Sequence, residues 1–124
     1  MKDAHTIVCD GGKKKSMTYG SYKVFSPEGK EITHNWIYLG FGTSNMAEYL
    51  ALINAIKYCH KNNIKRVTFK SDSLLVINQI AGKWRTMNSN LIGLKRIAIS
   101  ELSRLDEYLI LKIHNKEVKK ILGH

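Results

Sequence analysis

Residues 43–52 read Thr43-Ser44-Asn45-Met46-Ala47-Glu48-Tyr49-Leu50-Ala51-Leu52. From Met46 to His60 the chain holds good helix formers and neither Gly nor Pro, which predicts a helix. Its apolar residues fall nearly all round: Ala47, Leu50, Ala51, Leu52, Ile53, Ala55, Ile56, Tyr58 and Cys59. A helix apolar on every side is a buried one, so structure must cover it on more than one face. Glu48, expected in the first turn, is the one acid in this stretch. Burying a carboxylate among such neighbours is costly unless something compensates its charge.

On the N-terminal side, Thr6 to Asp10 is a β-branched run ending in an acid, and Gly11-Gly12-Lys13-Lys14-Lys15 is expected to break it as a turn. Met17 to Phe25 is a second strand, stopped by Ser26-Pro27-Glu28-Gly29. Glu31 to Leu39, with Ile32, Thr33, Trp36, Ile37 and Tyr38, is a third, and Gly40 to Asn45 is a loop. Short links between the three strands favour an antiparallel meander. On the C-terminal side, Asn62-Asn63 ends the helix and Lys65 to Lys70 is a strand with Val67 and Phe69 on one face. Ser71-Asp72-Ser73 offers a helix cap for Leu74 to Ile80. After a loop from Lys83 to Asn90, Leu91, Leu94, Ala98, Leu102 and Leu105 recur at helical spacing. Leu109 to Ile113 makes the last strand and Asn115 to Leu122 a terminal helix. The order β-β-β-α-β-α-α-β-α predicts an α/β fold: a five-stranded mixed sheet, meander plus parallel strands, with flanking helices.

At 124 residues the chain suits a single domain spanning 1–124. It contains no apolar run near the roughly 18 residues of a membrane span, and Met1 to His5 lacks the apolar stretch of a secretory signal. A cytoplasmic monomer with no membrane contact and no small-molecule cofactor is the expectation. Twenty Lys and Arg against ten Asp and Glu give a formal charge of +10, which suits a polyanionic partner such as nucleic acid or is spread over solvated faces. Cys9 and Cys59 lie far apart without CxxC spacing and are read as small buried hydrophobes.

Three acids stand where an element meets a loop: Asp10, Glu48 and Asp72. Their small neighbours, Gly11, Gly12, Ala47, Ser71 and Ser73, leave room for close approach. Taken singly, each acid reads as an ordinary cap or turn residue. Gathered, they would repel one another, and a hard divalent cation such as Mg²⁺ would relieve that repulsion.

Asp10-Gly11-Gly12, the Thr43–Leu52 stretch and Ser71-Asp72-Ser73 together resemble the three central motifs of type 1 ribonucleases H. The segment Gln79-Ile80-Ala81-Gly82-Lys83-Trp84-Arg85, followed by Asn88 and Asn90-Leu91, is also similar to that family, and order and spacing agree from about Thr6 to Ile113. The resemblance implies a ribonuclease H-like fold and an endoribonuclease that cuts the RNA strand of RNA–DNA hybrids. It implies that Asp10, Glu48 and Asp72 ligate Mg²⁺, with Mn²⁺ as a substitute, in a two-ion mechanism. It further implies that Asn45 contacts the RNA strand near its 2′-hydroxyls, and that backbone around Gly11 and Gly12 approaches the same strand. Lys13 and Lys14, with Trp84 and Arg85, are the candidates for phosphate and base contact, Trp84 reading equally as a core aromatic beneath its loop.

Two features depart from the family pattern. The family's fourth acid, an Asp in the C-terminal helix, falls on Lys119 here, and a cation there would oppose a second Mg²⁺. Glu117 lies roughly 200° round the helix and does not replace it. No residue stands clearly for the family's catalytic histidine: His114 is near the terminal helix but reads as a solvent-facing loop residue, and His5, His34, His60 and His124 carry no signal. The alternative function is therefore a weakly catalytic or non-catalytic nucleic-acid-binding module on the same fold. A basic protein–protein adaptor is a third reading.

Overall fold

In a computed structural model, which describes residues Met1–His124, the chain runs β1 (His5–Lys14), β2 (Met17–Phe25), β3 (Glu31–Phe41), α1 (Ser44–Lys61), β4 (Arg66–Ser71), α2 (Leu74–Ile80), α3 (Ser89–Leu102), β5 (Glu107–Lys112) and α4 (Asn115–Leu122). The strands form one sheet in the order β3-β2-β1-β4-β5. β1, β2 and β3 are antiparallel neighbours, whereas β1 pairs β4, and β4 pairs β5, in parallel. This is the five-stranded mixed sheet expected from the sequence.

Alternation along β1 divides the apolar side chains between two faces. Ile7 and Cys9 join the large core with Val24, Val67, Phe69 and the α1 residues Leu52, Ile53 and Ile56. Val8 points the other way and packs with Val118 and Leu122 of α4. The all-round apolar pattern of α1 is thereby explained, since one side meets the sheet and another meets α3 through Ala98 and Leu102. Both cysteines are free and buried, as their reading as hydrophobes requires.

Several boundaries differ from expectation, among them β3, which runs on to Phe41 into the expected loop, and β4, which is shifted by one residue to Arg66–Ser71. Gly11 to Lys14 does not break β1. These residues pair with Gly20, Tyr19, Thr18 and Met17, so ladder hydrogen bonds override the low strand propensity of Gly-Gly-Lys. The turn is instead Lys15-Ser16, with Lys15 at φ 58°. α1 begins at Ser44, because Thr43 caps it by accepting the Met46 N–H at 3.1 Å, and Glu48 therefore lies beyond the first turn. α3 stops at Leu102, leaving Leu105 buried in the turn that follows, and β5 starts at Glu107, where Arg66 and Glu107 pair in register. No helix is long and apolar enough to cross a membrane.

Candidate metal centre

Strand register is what brings two of the acids together. The parallel β1–β4 ladder sets His5 opposite Val67 and Val8 opposite Lys70. Extended by two residues, the same register places Asp72, just past the end of β4, beside Asp10. The third acid arrives through a close approach of backbones. A Cβ on Gly11 would overlap the Ala47 carbonyl and the Glu48 amide, so only glycine lets β1 touch the start of α1 here. The contact allows the Gly11 N–H to donate to Glu48 Oε1 at 2.9 Å. As a result Asp10, Glu48 and Asp72 each offer an oxygen within 4.8 Å of the others.

Three carboxylates this close cannot all remain charged in a half-buried pocket without a counter-charge. Burial first, then the charge of the neighbouring Asp10 carboxylate and the proton that Glu48 can donate to it, push the Glu48 carboxyl up to about 9. Burial likewise raises Asp10, opposed by the nearby Glu48 carboxyl when that group carries the shared proton. Glu48 Oε2 is buried with no hydrogen-bond partner in the protein. An all-oxygen donor set with an orphaned carboxylate oxygen fits a hard divalent cation.

A pH dependence follows, with a definite sign. Glu48 keeps its proton when folded at pH values where the unfolded chain has lost it, so it stabilises the fold below the ordinary carboxylate range and loses that contribution as pH rises towards about 9. In chelator, the Tm should fall between pH 5.5 and pH 8.5, and Glu48→Gln should flatten that slope. Equal slopes in parent and variant would show that Glu48 is not the group responsible.

The remaining candidates fall into distinct places. Asp72 is not the cap of α2: Ser73 is, accepting the Val76 N–H at 3.3 Å, and the Asp72 carboxylate instead accepts from Asn115 Nδ2 at 2.8 Å. Asn45 is exposed in the first turn of α1, and Gly12 lies under the Tyr19 ring. Lys13 and Lys14 are exposed at the end of β1. Trp84 is 45 % exposed rather than a core residue, and it shares a basic groove with Lys83, Arg85, Lys95 and Arg96. Buried Gln79 anchors that segment, accepting from the Tyr49 hydroxyl at 2.7 Å while its own amide reaches the Arg85 carbonyl at 3.5 Å. His114 caps α4, its Nδ1 accepting the Lys116 N–H, and Lys119 is exposed on that helix.

A family model described as reverse transcriptase-like matches residues 30–120, most of the chain. The chain belongs to that family. No curated protein matches it by sequence. Among solved structures it is similar to RNase H1 from the halophilic archaeon Halobacterium salinarum, at 23 % identity over 94 % of this chain and 89 % of that one, with a TM-score of 0.90. The N-terminal RNase H domain of a Mycobacterium tuberculosis protein follows at 20 % identity, covering 96 % and 88 %, with a TM-score of 0.88. LC11-RNase H1, solved in complex with an RNA/DNA hybrid, is 22 % identical over 94 % and 89 %, with a TM-score of 0.82. The fold of this reverse transcriptase-like protein is thus ribonuclease H-like, of type 1.

Within this family member, Glu48 and Asp72 lie inside the matched residues and Asp10 lies before them, joined to them by geometry. Sequence reasoning missed two neighbours of the acids. Asn115 touches Asp72, and His124 Nδ1 stands 3.9 Å from Asp10 Oδ2. Asn115 had a signal, since it opens the very stretch aligned with the family's last motif. His124 had none, because only the path of α4 across the sheet returns it to β1. The Lys95-Arg96 pair in α3 was legible as adjacent cations, but not as facing Arg85.

Proposed function

We propose that this protein is a divalent-metal-dependent endoribonuclease that cuts the RNA strand of RNA–DNA hybrids. The observation that carries the reading is the meeting of Asp10, Glu48 and Asp72 within 4.8 Å around an unpartnered buried oxygen. These three side chains would hold Mg²⁺, or Mn²⁺ in its place. When bound there, such an ion supplies an activated water and neutralises charge on the phosphate under attack.

The chain's own residues do the rest. The Gly11 N–H fixes one Glu48 oxygen and leaves the other without a hydrogen-bond partner, while Asn115 fixes the Asp72 carboxylate. Asn45, three residues before Glu48 on α1, and the backbone at Gly11 and Gly12, directly after Asp10, are the groups whose contact with a ribose 2′-hydroxyl would distinguish RNA from DNA. Lys13, Lys14, Trp84 and Arg85 provide cations and an exposed ring for the duplex backbone. The test is a labelled hybrid incubated with the protein in Mg²⁺, Mn²⁺ or chelator, beside duplex DNA and single-stranded RNA. Metal-dependent cutting confined to the RNA of the hybrid is expected, and cutting that persists in chelator would overturn the reading.

Lys119 favours one second reading, a hybrid-binding module with weak or no catalysis. Its ammonium stands on α4 where the family pattern has a carboxylate, and it repels an additional cation. Lys119→Asp should therefore raise kcat/KM in Mg²⁺ about tenfold, corresponding to roughly 1.4 kcal/mol of barrier. A parent that binds hybrid but cuts only after this substitution would establish the second reading.

A further inference from the structure

A groove of about 650 Å³ opens on the α4 side of the sheet next to the carboxylates, and the metal centre makes no use of it. Register carries the connection: Asp10 pairs Ser21, and Ser21 pairs Trp36, so the three share one row across β1, β2 and β3. With strands about 4.8 Å apart, Trp36 stands roughly 10 Å from Asp10 along that row. Tyr19 and Tyr38 form the adjacent row. Trp36 is 54 % exposed and Tyr38 89 % exposed, although large aromatics on a sheet face are normally covered. Trp36 is nonetheless held in place, its ring centroid 5.7 Å from that of Tyr19 and 4.8 Å from that of His124.

The charge around these rings has one sign. Lys13, Lys14 and Lys15 line the groove and no carboxylate does. A ligand that answers both features carries repeated phosphates and flat apolar faces. Bases inside a duplex are already stacked on one another and cannot reach an aromatic side chain, whereas unpaired bases can. A phosphate-only polymer leaves the aromatics unexplained, and a protein strand added to the β3 edge leaves the lysines unexplained.

We propose that this groove is a single-strand subsite that takes the unpaired continuation of the RNA strand beyond the hybrid. Bases stack on Trp36 and Tyr38, while Lys13, Lys14 and Lys15 meet the phosphates where the duplex gives way to the unpaired strand. The proposal rests on the nuclease reading for the identity of the strand, because that strand is the one presented to Asp10.

The protein has two tryptophans, so Trp84→Phe leaves Trp36 as the sole reporter. In chelator, oligouridine should quench its fluorescence. By fluorescence anisotropy of labelled oligouridine, which needs no tryptophan, Trp36→Thr and Tyr38→Thr, which keep strand propensity, should each weaken binding about tenfold, and Trp36→Phe should recover most of the loss. Inorganic polyphosphate should bind without sensitivity to either Thr variant. A hybrid whose RNA strand overhangs should bind more tightly than a blunt one, and a DNA overhang should add little. Absence of quenching, unchanged affinity in Trp36→Thr, equal losses with polyphosphate, or equal benefit from a DNA overhang would each overturn the subsite. The two readings separate cleanly: hybrid cutting without the quench removes the subsite alone, and the Trp36-dependent quench without cutting removes the nuclease alone.

Discussion

Replacing Asp10 with Asn should lower Mg²⁺-supported hybrid cleavage by about a thousandfold while leaving the protein folded and able to bind hybrid. The substitution keeps the shape of the side chain and removes its charge, so the oxygen trio loses the member on the central strand. A thousandfold corresponds to roughly 4 kcal/mol of transition-state stabilisation, the scale on which charge-stabilising groups act in water-poor sites. The same change relieves the repulsion that adds to burial in raising Glu48, so the metal-free variant should melt higher than the parent by about 1 kcal/mol of stability. Higher stability with lost activity is a signature that general damage to the fold does not produce. Single-turnover cleavage and a thermal melt in chelator check both halves. If Asp10→Asn cuts within tenfold of the parent, the proposed centre is wrong.

The second large effect is expected at a residue with no functional group. Gly11→Ala places a methyl where the Ala47 carbonyl and the Glu48 amide already lie, and backbone cannot step aside as a flexible side chain can. Overpacking of this kind at a strand–helix contact should destabilise by about 3–5 kcal/mol, at the top of the range for single substitutions. For a chain of this length that is a Tm lower by about 10–20 °C. Any molecules that do fold must hold β1 away from α1, which lengthens the Gly11–Glu48 hydrogen bond and spreads the acids. Calorimetric titration with Mg²⁺ should then show weaker binding at temperatures where circular dichroism still reports a folded chain. A Tm within about 2 °C of the parent would mean the backbones do not meet as described.

Much of this was readable before any coordinates, and the reasons are local. The meander follows from Ser26-Pro27-Glu28-Gly29 and from β-branched runs on either side of it. The burial of α1 follows from its lack of a polar face, and the three acids stand out because each sits beside a small residue. They do so even though Asp10 lies within β1 and Glu48 beyond the first turn of α1 rather than at an element's end. What escaped was non-local. Gly-Gly-Lys looks like a turn until β2 supplies hydrogen-bond partners for it. Ser71-Asp72-Ser73 offers three possible caps, and only the chain's direction after β4 selects Ser73. Trp36 and Tyr38 read as ordinary strand residues, because no pattern within β3 reveals that their rings lie exposed on the sheet face.

The pairing of β1 with β4 also constrains how such a chain can change over evolutionary time. Side chains on a strand alternate between faces, so inserting or deleting one residue between His5 and Asp10, or between Val67 and Asp72, turns one acid away from the other. Two such changes in the same strand restore the facing but slide the carboxylates apart by about 7 Å. Lineages that keep the chemistry must therefore accommodate length variation elsewhere, in segments such as the turn at Lys15-Ser16 or the stretch between α2 and α3, while the count of residues along the two inner strands stays frozen.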